Sequence, residues 1–193
     1  MMNVSGQNDT RTRPALLIID IQQFYFPSGE NPGLVNAQVA SMKAKEVLSI
    51  FRDNRQTVVH VKHLASKGSD IHENVSPLSN EKVITKEEVN CFNGTDLYDY
   101  LKKEQITRLV IIGMQTHMCL EAAVRAAYDL GFECVVVEDA CATKDLRFGD
   151  KIARAEDVHL STLATIQNGG YGQVINLENF KQNTEKILFE VFR

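Results

Sequence analysis

The sequence contains no apolar run near the roughly 18 residues that a membrane-spanning helix needs, and no long block of one charge. The first absence argues against a membrane as partner. The second, with a formal net charge of -4, argues against nucleic acid and anionic lipid, which reward a basic patch. The four cysteines (Cys91, Cys119, Cys134 and Cys141) show no CxxC spacing and no disulfide framework, so they fit reduced thiols and a cytoplasmic setting. Neither GxGxxG nor GxxxxGK[ST] occurs, so dinucleotide and P-loop cofactors have no support, and no cofactor is expected. A GxSxG elbow is also missing. The polar residues 1–13 read as a disordered lead, and the apolar run ALLII ends at Asp20, too soon for a secretory leader. Residues 14–193 are expected to form a single domain, long enough to bury a sizeable core.

What is present is a set of short, wholly apolar runs. Ala15–Ile19, Thr57–Val61, Lys82–Thr85, Arg108–Ile112, Glu133–Val137 and Gln173–Ile175 read as strands, and runs without polar alternation suit strands covered on both faces. Helical spacing falls at Val35–Asn54, Asp96–Lys103, His117–Leu130 and Lys151–Ile166. Gly131 is placed to end the third helix, and Asn168-Gly169-Gly170 the fourth. A polar loop, Ala65–Asn80, stands where one further helix would be. This alternation predicts an α/β fold with a doubly wound parallel sheet. Ligands of such sheets bind beyond the carboxyl ends of the strands, where strand order reverses.

Three distant residues fall at that edge. Asp20 follows the first strand, Lys86 the third, and Cys119 lies just past the fourth. Thr116 reads as the N-cap of the following helix, with Cys119 at N3, near unpaired N–H groups and the positive end of the helix dipole. That position favours the thiolate, as does a nearby lysine. Asp20 can accept the thiol proton, and the N–H groups of Gln115 and Cys119 can form an oxyanion hole. Cys134 and Cys141 read as packing, the latter in the loop after its strand.

Other residues carry weaker signals. Phe24, Tyr25 and Phe26 suit one wall of a small-substrate pocket, with His63, Phe92 and Phe148 as further lining candidates. Asp70-Ile71-His72 is a D-x-H pair, but the surrounding histidines His60 and His63 lack a full ligand spacing, so no metal is expected. His117 and His159 read as helix-surface residues.

With these pieces assembled, the chain resembles the isochorismatase-like cysteine hydrolases. The matching stretches are LLIIDIQQFYF, VITKEEVNCFNGTDL, LVIIGMQTHMCLEAAVRAAYDLGF and VVVEDACAT. The resemblance implies a six-stranded parallel sheet between helices, a Rossmann-like three-layer α/β/α arrangement. It implies an Asp20–Lys86–Cys119 catalytic triad, a cis peptide at Met114–Gln115, and assembly as a dimer, tetramer or other homo-oligomer. Because the chain keeps the nucleophilic cysteine, the resemblance points to hydrolysis of a small-molecule amide or related C–N bond through an acyl-thioester. Nicotinamidases in this family place D-x-H at the end of the second strand. Here that strand ends in His60-Val61-Lys62-His63, which weighs against both the metal and nicotinamide. Two other readings stay open: a vinyl ether hydrolase using Asp20 as general acid, and a non-catalytic binder with a vestigial site.

Overall fold

The computed structural model describes residues 12–191. Most of the expected lead lies outside them. Its last two residues are tied down: Thr12 Oγ1 donates to Glu190 O at 2.7 Å, and Arg13 N–H donates to Thr107 Oγ1 at 3.0 Å.

Six strands form the main sheet: β1 (Pro14–Ile19), β2 (Thr57–His63), β3 (Lys82–Lys86), β4 (Arg108–Met114), β5 (Glu133–Ala142) and β8 (Gln173–Ile175). Their spatial order is β3-β2-β1-β4-β5-β8, and every neighbouring pair is parallel. The order reverses between β1 and β4, which places the switch point there. A separate antiparallel hairpin joins β6 (Leu146–Phe148) to β7 (Lys151–Ala153).

Successive β1 residues feed opposite layers, as strand pleating requires. Leu16 and Ile18 pack with Val47, Leu48 and Phe51 of α1 (Ala37–Asp53). On that face also lie Phe180 of α5 (Leu177–Gln182) and Leu188 of α6 (Thr184–Phe189). Ala15, Leu17 and Ile19 pack on the other face with α2 (Leu97–Lys103), α3 (Glu121–Asp129) and α4 (Ala155–Asn168). The result is a three-layer α/β/α fold, as the alternation predicts. Among the described residues, no helix is long and apolar enough to cross a membrane.

Several boundaries differ from the sequence reading, each for a local reason. The first helix starts at Ala37, not Val35, because Asn36 is left-handed (φ 60°) and the Val35 N–H bonds Thr143 O. The fourth starts at Ala155, not Lys151. Residues 151–153 pair with β6, and the Asp145 carboxylate accepts the Ala155 N–H at 2.8 Å. Cys141 is not in a loop: β5 continues past a register shift, so that Cys141 sits opposite Gly113. The short helices α5 and α6 lie beyond the predicted elements. Arg108 Nη1 holds α6 by bonding Ile187 O at 2.5 Å.

Gly131 ends α3 as expected. Its φ is 85°, its N–H reaches Tyr128 O, and Phe132 N–H returns to Ala127 O at 3.0 Å.

Candidate active site

At the carboxyl end of β1 the backbone turns sharply. Asp20 has φ 49°, a left-handed conformation that aspartate tolerates better than most side chains, and its N–H bonds Val61 O on the neighbouring strand. One strand away, β4 runs so close that a Cβ at Gly113 (φ 132°) would collide with the Ile19 carbonyl. Glycine therefore allows β1 and β4 to meet at the point where their ends carry functional groups.

The Met114–Gln115 peptide that follows is cis. Residues 116–120 then form a π-type turn leading into α3. The Gln115 carbonyl accepts N–H groups from Met118 at 3.0 Å and Leu120 at 3.3 Å. Thr116 is not the N-cap: its hydroxyl is buried and engaged with His159 Nδ1 at 2.9 Å, and Gln115 takes the cap position. His117 Nδ1 lies 2.6 Å from Thr143 Oγ1. Both histidines expected on the surface instead brace the turn that carries Cys119.

The three strand-end residues come together. Lys86 Nζ lies 2.8 Å from Asp20 Oδ2 and 3.3 Å from Cys119 Sγ. It also meets Glu88 O at 3.1 Å and His63 Nδ1 at 3.3 Å. A charged lysine has no acceptor of its own, so His63 must accept through Nδ1 in that contact. Asp20 and Lys86 are buried to within 1 % and Cys119 to within 6 %.

The charge state of this trio differs from the sequence expectation. Burial pushes the Cys119 thiol up to about 11, with the Asp20 carboxylate adding to the rise and Lys86 opposing it. Burial also raises Asp20 above the ordinary carboxylate range, against the pull of Lys86. The Lys86 pKa is raised as well: burial works against its charge, but Asp20 and Cys119 outweigh it. The physical reason is a charge count. A carboxylate, an ammonium and a neutral thiol sum to zero, whereas a thiolate beside an ionised Asp20 would leave one net negative charge in a desolvated site. Both burial and the Asp20 charge thus favour the thiol form of Cys119.

The remaining cysteines differ from Cys119. Burial pushes Cys91, Cys134 and Cys141 each up to about 12, and among the described residues none has an ammonium hydrogen-bonded to its sulfur, as Cys119 has.

A cleft of about 560 Å³ is lined by Phe24, Tyr25, Leu34, Gln115, Lys144 and Asp145 among others, and it meets the Cys119 turn through Gln115. Burial pushes the Tyr25 phenol up to about 12, with charges on Cys119 and Asp20 adding to the effect and the hydrogen bond from Gln115 opposing it. Of the expected lining residues, Phe24 is in this cleft and His63 touches Lys86. Phe92 stacks on Phe132 and packs against the layer that contains Cys119. Phe26 is instead core, stacked on His72 at 3.8 Å between centroids. Phe148 is 89 % exposed on the β6–β7 hairpin and is not brought to the site. The Gln115 side chain and Lys144 were not singled out from sequence. No spacing marks them, because the cis peptide and the β5–β6 connection place them.

His72 Nδ1 accepts the Asn74 N–H at 3.2 Å, so it braces its loop. Among the described residues, no group of three His, Cys, Asp or Glu is arranged to hold a metal ion.

The family model for the isochorismatase domain matches residues 14–166. The chain belongs to the isochorismatase family. Within this family it is 44 % identical over 177 residues to the Bacillus subtilis isochorismatase family protein YddQ, covering 86 % of this chain and 97 % of that one. It is 27 % identical to maleamate amidohydrolase of Pseudomonas putida KT2440, over 88 % of this chain and 86 % of the relative. The crystal structure of an isochorismatase from Pseudomonas putida KT2440 superposes with a TM-score of 0.81 at 28 % identity, covering 86 % of this chain and 89 % of the other. The isochorismatase fold thus extends over nearly the whole described chain.

Proposed function

We propose that this isochorismatase-family protein is a cysteine-dependent hydrolase that cleaves a small-molecule amide or related C–N bond through an acyl-thioester. The supporting observation is the Lys86 ammonium set between the Asp20 carboxylate and the Cys119 sulfur at the strand-order switch point. Kinship with an amidohydrolase favours amide bonds as the target.

The chemistry follows from the resting charges. Cys119 starts as a thiol and Asp20 as its base. As sulfur attacks the carbonyl carbon, the thiol proton moves to Asp20, so no free thiolate has to accumulate. The N–H groups of Gln115 and Cys119 receive the oxyanion. Asp20 then protonates the departing nitrogen, which leaves as ammonia or an amine. Water attacks the thioester, Asp20 takes its proton, and the sulfur departs and is reprotonated. Lys86 stays charged throughout and offsets the negative charge that passes between oxygen and sulfur.

The test is ammonia release from a panel of small amides and ureides, with Cys119→Ala alongside. Turnover by the native protein and none by the variant is expected. Hydrolysis surviving in Cys119→Ala would overturn the covalent scheme.

A further inference from the structure

Gln115 carries a second feature beyond its main-chain N–H. Its side chain is 6 % exposed, and its Nε2 donates to the Tyr25 hydroxyl at 3.3 Å. Its Oε1 is buried and accepts a hydrogen bond from no group among the described residues. Buried carbonyls in folded proteins are nearly always paired, so such an acceptor needs a reason. With Nε2 on the phenol, Oε1 is turned away from it. The same side chain lines the cleft, with Phe24, Tyr25 and Leu34 as largely apolar walls and the Lys144 cation also on the lining. A cleft with largely apolar walls and a few polar groups, here Gln115, Lys144 and an Asp145 carboxylate already paired with Arg154, holds a ligand by shape and selects it by hydrogen bonding.

We propose that Gln115 determines specificity: its Oε1 accepts a hydrogen bond from an N–H on the acyl side of the substrate, next to the scissile carbonyl. The identity of the ligand rests on the hydrolase reading above, but the recognition itself does not require turnover. A site built to pair a donor rejects the analogue that lacks it, because the acceptor is then buried and unpaired.

Two nearly isosteric probes differ in this one group. N-carbamoylglycine has an N–H where succinamate has a methylene, and both carry a carboxylate that suits a cleft containing Lys144. Binding of each is measured by titration calorimetry to Cys119→Ala, and then to Cys119→Ala with Gln115→Met. Methionine keeps the length and the main-chain N–H but removes the acceptor. N-carbamoylglycine should bind the first protein roughly ten- to a hundredfold more tightly than succinamate, and the second should show no preference. Equal affinities, no binding of either probe, a reversed preference, or a preference that survives Gln115→Met would each overturn the assignment. Ammonia release by the native protein is followed separately. Selective binding without any release would sink the hydrolase reading and leave the role of Gln115 standing.

Discussion

Lys86 and Asp20 form an ion pair sealed from solvent, with Nζ and Oδ2 2.8 Å apart and both side chains 0 % exposed. A pair this deep is costly to assemble and more costly to break, because removal of one partner strands the other as an uncompensated buried charge. Lys86→Met should therefore lower stability by about 3–5 kcal/mol, seen as a fall in Tm on the order of 10 °C. Adding Asp20→Asn to Lys86→Met should restore much of the loss, since neither charge then remains. Calorimetry on the two single variants and the double variant closes the cycle. Additive losses would show that the two groups do not act as a pair.

The same trio makes two opposite predictions for one substitution. Burial and the Asp20 charge hold the Cys119 thiol up at about 11. Alkylation of Cys119 by iodoacetamide should accordingly climb about tenfold per pH unit from pH 7 to 10 without a plateau, since only the thiolate reacts. Asp20→Asn removes a charge that raises the thiol pKa, so Cys119 should alkylate faster at pH 8. In the proposed scheme amide hydrolysis should nevertheless collapse in that variant, because Asp20 is the proton acceptor. Site-resolved mass spectrometry reads the labelling. Slower labelling in Asp20→Asn would contradict the electrostatic account.

Activity should also depend on pH with a definite sign. In the proposed scheme Asp20 must be ionised to accept the thiol proton, and burial raises its pKa above the ordinary carboxylate range. The acid limb of kcat/KM should then fall at a pH above the usual aspartate value, not near it. A limb at the ordinary carboxylate pKa would remove Asp20 from the role of base.

The placement of these groups is legible in the sequence because topology does the work. Asp20, Lys86 and Cys119 each follow or close an apolar run, and a parallel doubly wound sheet sends all such ends to one edge. What the local pattern does not carry is the ionisation of Cys119. Position near a helix start suggests a thiolate, but burial and net charge decide otherwise, and both are properties of the assembled site. Thr116 makes the same point. Its residue type suits an N-cap, yet α4 supplies His159 as a competing partner. Ile152 and Ala155 share a helical spacing with the residues after them, but the Asp145 carboxylate starts α4 only at Ala155, leaving Ile152 in a hairpin.

Gly113 offers a test of the architecture that positions the site. A Cβ there would run into the Ile19 carbonyl, a backbone atom of the adjacent strand, and the φ of 132° is unfavourable for any side chain. Neither strand can yield, since Ile19 and Ile112 are fully buried. Gly113→Ala should thus cost more than about 4 kcal/mol, at the far end of single-substitution effects, and give mostly insoluble protein. A soluble variant with a near-native Tm would mean that β1 and β4 do not approach as described.

Away from the site, Glu81 anchors the start of β3. Its carboxylate takes two bonds from Arg52, both 2.8 Å, a third from the Leu78 N–H at 2.8 Å, and faces His60 Nε2 at 2.9 Å. Partial burial works against its charge, but these donors prevail and hold the pKa down to about 2, against an unperturbed 4.5. A folded pKa below the unfolded one means stability that is complete above about 4.5, fades as the pH falls, and is gone below about 2. The difference corresponds to roughly 3 kcal/mol at neutral pH. Glu81→Gln should lose about that much in urea unfolding at pH 7, and the gap to the native protein should narrow steadily as the pH is lowered from 4.5 towards 2. Burial holds the neighbouring His60 below its ordinary pKa, against the pull of Glu81. A penalty that stayed constant across this range would show that Glu81 contributes shape rather than charge.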